Sequence, residues 1–226
     1  MKIKTYLLLT LAFCSGLNAQ KSDTGTWMML FGNEKLKNNF NYHYEVQNRD
    51  YGFVGDLNQL LLRTGVGYNL SENNNNVLLG YAYVLTNVYD ENDNIKKTDE
   101  HRIYQQFITK QKFGRLAINH RYRIEERFLE QNTELRFRYH LSLIVPFNSL
   151  NLTKKTWYAS AYNELFINAK KEPFDRNRLY GALGYVVNDN IRIEAGFMNQ
   201  ATKSITRNQF QLGIYLNDVF ASKKLN

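Results

Sequence analysis

The chain has 226 residues, a formal net charge of +8 and one cysteine. This length suits one domain of ordinary size, and a single cysteine excludes an internal disulfide. A basic chain invites a nucleic-acid role, but most lysines fall in predicted turns and most arginines in predicted strands. Because arginine pairs with carboxylates when buried, this division favours an enclosed ion-pair network, and we expect no nucleic-acid partner.

The N-terminus has the features of a secretory signal peptide at 1–19. Lys2 and Lys4 precede an apolar run at 5–13, and Ala19 ends a small-residue cleavage site. The apolar run is too short to span a bilayer as a helix. Cleavage would leave a mature chain at 20–226 without cysteine, which we interpret as one domain.

Eleven strand-like segments follow the signal in chain order. Within them, apolar or aromatic residues alternate with polar or charged ones, which is the period-two pattern of a β-strand. No run of 18 apolar residues follows the signal, so no transmembrane helix is predicted. The segments lie at about 24–33, 37–48, 57–70, 76–88, 100–112, 114–129, 133–146, 155–168, 177–187, 190–200 and 206–217.

The alternation at 118–128 indicates which face is enclosed. Tyr122 and Ile124 belong to a mainly apolar face, whereas Arg121, Arg123 and Glu125 belong to a charged one. A soluble barrel encloses its apolar face, but a bilayer selects an apolar outer face and a polar interior. The pattern therefore predicts an all-β fold, a single antiparallel transmembrane β-barrel with a polar lumen rich in arginine and glutamate.

The connections also suggest a membrane barrel. Tight turns at 112–115 and 187–190 contrast with longer charged loops at 90–99 and 169–177, and outer-membrane barrels combine short turns with long loops. Because bacterial single-chain barrels have even strand numbers, we expect about twelve strands, with ten as the alternative.

The last strand suggests a location. The sequence at 211–220 resembles the terminal strand signal read by the outer-membrane insertion machinery, although six residues follow it. This resemblance implies the cell outer membrane as the location. The expected partners are outer-membrane lipids and, during assembly, the insertion machinery.

The charged residues of the strands form the strongest candidate site. Well hydrogen-bonded ion pairs among them would fill the interior and hold a small barrel together. Because the arginines outnumber the carboxylates, the alternative is a narrow anion-preferring pore. The predicted lumen network comprises Arg102, Arg121, Arg123, Glu125, Glu134, Arg136, Arg138, Glu164, Arg178, Arg192 and Glu194.

One group of residues suggests an enzyme. His140 and Ser142 share a strand face, where a histidine can activate a hydroxyl, and Glu164 on the next strand can orient the histidine. The pair resembles the His-x-Ser arrangement of outer-membrane lipid A deacylases, which implies a lipid-modifying hydrolase. We interpret these residues as polar members of the lumen network, keep the hydrolase as an alternative and assign no catalytic residue.

The sequence contains no recognisable metal or cofactor motif. His43, His101, His120 and His140 are scattered without ligand spacing. A glycine-rich phosphate loop and a nucleophile elbow are both lacking. We therefore expect no metal site and no cofactor.

Seven short motifs follow one another along the chain: Trp27 with Phe31, Gly32 and Asn33; Glu100, His101 and Arg102 with Gln105 and Gln106; Arg121, Tyr122, Arg123, Ile124 and Glu125; Arg136, Phe137, Arg138 and Tyr139; Asn163, Glu164, Leu165 and Phe166; Phe174 and Asp175 with Asn177 and Arg178; and Gly184 with Tyr185. Taken in this order, they resemble a family of uncharacterised outer-membrane-type β-barrel proteins common in Bacteroidota, a domain of unknown function. The resemblance covers nearly all of the mature chain and implies the barrel fold, but it implies no activity. The expected role is therefore a structural or accessory membrane barrel.

Overall fold

The computed structural model describes residues 24–71, 74–170 and 172–220, which form one closed barrel of eleven β-strands. Among these residues, no helix is long and apolar enough to cross a membrane. The strands are β1 (Thr24–Lys35), β2 (Phe40–Asp50), β3 (Leu57–Asn69), β4 (Asn75–Tyr89), β5 (Ile95–Phe113), β6 (Leu116–Leu129), β7 (Thr133–Pro146), β8 (Trp157–Asn168), β9 (Phe174–Asn188), β10 (Ile191–Thr202) and β11 (Thr206–Asn217).

The all-β barrel is confirmed, but the expected strand number is wrong. Each of the eleven sequence segments corresponds to one strand, so neither twelve nor ten strands are present in the described part of the chain. Several strands are longer than expected; β5 begins at Ile95 and β9 at Phe174, which shortens the loops before them. The signal peptide predicted at 1–19 lies outside the described residues.

The odd strand number changes how the barrel closes. Each strand pairs antiparallel with its sequence neighbour, so the chain reverses direction ten times and β11 runs in the same direction as β1. These two strands pair in parallel from Thr24↔Asn208 to Asn33↔Asn217. The expectation of a wholly antiparallel sheet is therefore wrong at this one seam.

The connections between strands form two rims. We call the rim where β1 begins the N-terminal rim and the rim where β11 ends the C-terminal rim. The N-terminal rim contains 51–56, 90–94, 130–132, 169–173 and 203–205, of which residue 171 is not described. The C-terminal rim contains 36–39, 70–74, 114–115, 147–156 and 189–190, of which residues 72 and 73 are not described. The longest connection, 147–156, thus shares a rim with the two shortest.

Burial in this barrel is inverted relative to a soluble protein. Among the described residues, 22 buried side chains are polar or charged and only 11 are hydrophobic, while 41 large hydrophobic side chains are exposed. On β6, Arg123 and Glu125 are buried, whereas Tyr122 and Ile124 face outward. The period-two pattern therefore separates a charged interior from an apolar exterior.

Two glycines let large tyrosine rings lie flat against the interior wall. Gly80 on β4 is the register partner of Tyr104 on β5, and Gly184 on β9 is the partner of Tyr158 on β8. Both tyrosines have 0% exposure. A Cβ atom at Gly80 would lie 2.2 Å from the Tyr104 ring, and one at Gly184 would lie 2.1 Å from the Tyr158 ring. Only glycine leaves room for the rings in this position.

Candidate functional site

The centre of the barrel is organised around a buried carboxylate on β6. Glu125 has 0% exposure and accepts hydrogen bonds from Arg136 Nη2 and Arg138 Nη1, each at 2.6 Å. The strand register places Glu125 directly opposite Arg136. Arg138 is the next inward residue of β7 and reaches Glu125 diagonally, so two guanidinium groups neutralise one carboxylate.

A second buried carboxylate joins β8 to this cluster. Glu164 Oε1 accepts from Arg138 Nη2 at 2.6 Å and from Arg121 Nη2 at 2.7 Å. The guanidinium of Arg178 on β9 lies 3.6 Å from Glu164 Oε2. Arg138 therefore bridges two carboxylates, Glu125 and Glu164, at the middle of the barrel. Such a bridge offsets the cost of desolvating the charges only because its hydrogen bonds are short and numerous.

Aromatic rings support the guanidinium groups from inside the lumen. The guanidinium carbons of Arg138 and Arg178 lie 4.4 Å and 4.7 Å from the centre of the Phe166 ring. Arg49 lies 3.9 Å above the ring of Trp27. Cation–π contacts of this kind fix the plane of each guanidinium and bury its faces.

A smaller ion-pair cluster lies toward the N-terminal rim. Glu100 accepts from Arg102 Nε at 2.7 Å and from Arg127 Nε at 2.5 Å. Arg127 also donates to Glu134 at 2.8 Å. The register pairs Arg102 with Arg127, so Glu100 lies between two positive charges that would otherwise repel each other.

The remaining predicted residues make other contacts. Arg123 is buried and donates to Gln106 at 3.0 Å and 2.5 Å, while its closest approach to Glu125 is 3.5 Å. Glu194 accepts from Tyr180 at 3.0 Å and from Tyr215 at 3.3 Å rather than from an arginine.

Arg192 differs from the other predicted arginines. In the part of the chain that the structure describes, it makes no ion pair, and its Nε atom is buried without a hydrogen-bond partner. The structure thus brings the predicted residues of β5 to β9 together and does not join Arg192 to Glu194.

Several interior charges were absent from the sequence-based network. Glu45 on β2 pairs with Arg63 on β3, its register partner. The period-two pattern of both strands could have identified this pair, since both residues occupy polar-face positions. Asp175 accepts a hydrogen bond from Arg136 at 3.1 Å. It lies where the register between β8 and β9 shifts, opposite the step from Phe166 to Ile167, and the alternation pattern of a strand does not predict such a shift.

The three residues of the hydrolase alternative line the lumen but do not form a catalytic arrangement. Ser142 accepts from Asn119 at 3.2 Å, and Glu164 is engaged by arginines. The ring of His140 lies tilted against the ring of Tyr162, with ring centres 4.8 Å apart, and among the described residues no hydrogen bond joins it to Ser142 or Glu164. A nucleophile and its base must lie within hydrogen-bonding reach, and that contact is not made here.

The histidines lie on different faces of the barrel. His43 and His140 line the lumen, whereas His101 bonds Tyr81 and His120 bonds Tyr139 on the outer side. Within the described ranges, no three His, Cys, Asp or Glu side chains are grouped so that they could hold a metal ion.

The network surrounds an internal cavity of about 730 Å³. Among the described residues that line the cavity or belong to the ion-pair clusters around it, cations exceed anions by five formal charges. The cations are Arg49, Arg63, Arg102, Lys110, Arg121, Arg123, Arg127, Arg136, Arg138, Arg176, Arg178 and Arg192, and the anions are Glu45, Glu100, Glu125, Glu134, Glu164, Asp175 and Glu194. The interior charges are therefore paired only in part, and the net charge of the interior is positive.

These features define a closed eleven-stranded β-barrel with an ion-paired interior. Residues 24–211 match the model of the family described as Protein of unknown function (DUF2490), and the chain belongs to that family. No curated protein and no solved structure matches the chain.

Proposed function

We propose that this protein is a β-barrel of the cell outer membrane with a structural or accessory role, its interior closed by the ion-pair network. In this proposal the signal peptide at 1–19 directs export and is removed. The insertion machinery of the outer membrane then assembles the barrel among the lipids. The resemblance to outer-membrane-type barrels of Bacteroidota belongs to this proposal too.

The observation that supports it is the inverted burial. A water-soluble barrel with 41 exposed large hydrophobic side chains and a charged interior would leave apolar surface in water and charges out of it. In a bilayer the same arrangement is favourable, because lipid tails cover the outer side chains and the closed sheet satisfies its own backbone hydrogen bonds.

The middle of the lumen supports a closed interior. Glu125, Glu164, Arg123 and Arg138 have exposures of 0, 3, 2 and 7%, so these four side chains pack closely beside the cavity at the middle of the barrel. Separating the partners of a buried ion pair leaves an unpaired charge out of water. In this proposal the ion pairs therefore resist any movement of these side chains that would open the lumen.

Fractionation and gel mobility test this proposal. The full chain, expressed with its N-terminal segment, should be found in the outer-membrane fraction. In detergent it should migrate faster on a gel without boiling than after boiling, because a closed barrel resists unfolding. Recovery of the whole population in the soluble periplasmic fraction would overturn the proposal.

The excess of interior cations favours a second candidate, a narrow anion-preferring pore. Twelve interior cations face seven anions, and rings of arginine or lysine select anions in pores. The cavity of about 730 Å³ would supply part of the path.

Planar bilayer recordings separate the two candidates. The closed barrel should insert without a measurable step in conductance. A stable conductance whose reversal potential favours chloride over potassium would replace the closed barrel with the pore, while the location in the membrane would stand.

A further inference from the structure

The half of the cavity toward the C-terminal rim contains cations that the network leaves unpaired. Arg192 is the second residue of β10, and Lys110 lies three residues before the end of β5, on the opposite wall. Both side chains line the cavity, and within the described residues neither makes an ion pair. Their positive charges act on each other across the lumen, so an anion between them would relieve repulsion as well as form contacts.

The guanidinium of Arg192 lies near two tyrosine rings, and its carbon is 6.0 Å from the centre of the Tyr158 ring. Its guanidinium carbon lies 4.2 Å from the centre of the Tyr215 ring, which covers one face. A stacked guanidinium still presents N–H groups around its edge, and that edge matches the geometry of an oxyanion. Lys110, by contrast, is exposed to the cavity and makes no side-chain hydrogen bond in the described chain. A lysine of this kind supplies a mobile point charge.

Two carboxylates that line the cavity have other hydrogen-bond partners than Lys110 and Arg192. Glu164 is engaged by Arg121 and Arg138. Glu194 accepts from Tyr180 and Tyr215.

Neutral donors complete the wall between the two cations. Asn119 and Ser142 form a hydrogen-bonded pair that lines the cavity on β6 and β7, and Ser160 follows on β8. Small hydroxyl and amide groups can bond an oxyanion without bringing negative charge. The wall from β5 through β8 to β10 thus combines neutral polar groups with two cations that make no ion pair among the described residues.

The longest loop borders this half of the cavity and is fixed in place. Leu152 of the 147–156 connection lines the cavity. Lys112 donates to Asn151, and Arg115 donates to the Phe147 carbonyl at 2.8 Å, so the β5–β6 hairpin holds the loop. The compartment is consequently bounded by ordered groups, which lowers the entropic cost of binding a ligand.

We propose that this half of the lumen is a binding site for a small soluble oxyanion of the phosphate type, held between Lys110 and Arg192. The site opens into the lumen rather than onto the outer apolar face, so its ligand comes from water and not from the bilayer. The inference does not depend on whether the barrel lies in a membrane, because it rests only on the interior contacts.

Titration calorimetry with inorganic phosphate tests the site on the full chain folded in maltoside detergent. Chloride is exchanged for phosphate at constant ionic strength, so general screening is the same in every injection. The expected result is saturable binding of one phosphate per barrel. Lys110→Gln should weaken the affinity about tenfold, the loss expected when one charge-assisted hydrogen bond is removed.

A matched variant makes the result interpretable. Lys37 lies exposed in a turn of the same rim, and Lys37→Gln removes the same charge outside the lumen. It should leave the phosphate affinity unchanged, and thermal unfolding should show that both variants remain folded. Absence of saturable binding in the unaltered protein, an unchanged affinity in Lys110→Gln, or equal weakening by Lys37→Gln would each overturn the proposal.

Discussion

Arg138 connects the two buried carboxylates at the middle of the barrel, Glu125 and Glu164. It donates to both Glu125 and Glu164 at 2.6 Å and rests on the Phe166 ring. Because all of these groups are buried, the contacts are not screened by water as a surface ion pair is. One residue therefore couples three neighbouring strands, β6, β7 and β8, through charge.

Replacing this arginine by an apolar residue of similar length should destabilise the barrel strongly. In Arg138→Met, Glu125 and Glu164 each lose a partner while remaining enclosed. Loss of one partner from a buried ion pair costs about 3–5 kcal/mol. Denaturant unfolding in detergent measures this change in the free energy of unfolding.

Arg207→Met is the matched control for this substitution. Arg207 is exposed near the start of β11, so its replacement should change stability by no more than about 0.5 kcal/mol. If both variants unfold like the unaltered protein, the lumen is hydrated enough to solvate the freed carboxylates, and the closed interior is wrong.

At the scale of the strands, cross-strand glycine–tyrosine pairs shape the interior wall. Tyr104 folds over Gly80 and also donates to the Thr64 carbonyl at 3.2 Å, which links β5 to β3 across the intervening strand. A ring lying over glycine protects the backbone of a strand that has no side chain of its own at that point. The same arrangement of Tyr158 over Gly184 occurs on the opposite wall.

A methyl group at Gly80 should therefore be poorly tolerated. In Gly80→Ala the new Cβ would lie 2.2 Å from the buried Tyr104 ring, which cannot move without disturbing its neighbours. Overpacking of this kind costs about 1–3 kcal/mol. The measurement is thermal unfolding in detergent.

Gly181 provides the comparison for Gly80. It has no atom within 4 Å of the position that a Cβ would occupy. Gly181→Ala should be neutral or stabilise by up to about 1 kcal/mol, because alanine suits a strand interior better than glycine. Equal destabilisation by the two alanines would refute the packing argument.

The parallel seam between β1 and β11 is the element that defines the odd barrel. Parallel pairing is slightly less stable per residue than antiparallel pairing, so closure here needs direct proof. Leu30 and Ile214 are register partners across this seam. In a Cys14→Ser background, Leu30→Cys with Ile214→Cys should form a disulfide under mild oxidation, because paired strands hold Cα atoms within bonding range.

A shifted pair controls for this cross-link. Tyr215 follows Ile214 and faces the interior, so Leu30→Cys with Tyr215→Cys should not form the bond. Gel mobility under non-reducing conditions distinguishes the two products. Efficient cross-linking of the shifted pair, or none of the register pair, would mean that the barrel closes differently.

For the molecule as a whole, the sequence predicted the strands better than it predicted their assembly. Alternation at 118–128 places Arg121, Arg123 and Glu125 on one strand face, and the structure has them on the interior side. The strand count could not be settled this way, because it depends on which partner β1 takes. The bridge made by Arg138 also depends on the register between neighbouring strands, and the alternation within one strand contains no information about that register.

The barrel has a charged interior and an apolar exterior, and our proposal places that exterior in lipid. Lipid contact at the outer face tests this proposal most directly. Tyr122 and Ile124 face outward near the middle of β6, whereas Lys37 lies in a rim turn. Each is changed to cysteine in the Cys14→Ser background and spin-labelled, and the labelled barrels are reconstituted in lipid vesicles. Paramagnetic relaxation then compares collisions with oxygen, which concentrates in lipid, and with a water-soluble nickel complex. We predict that oxygen dominates at 122 and 124 and nickel at 37; nickel dominating at all three positions would contradict a lipid-facing exterior.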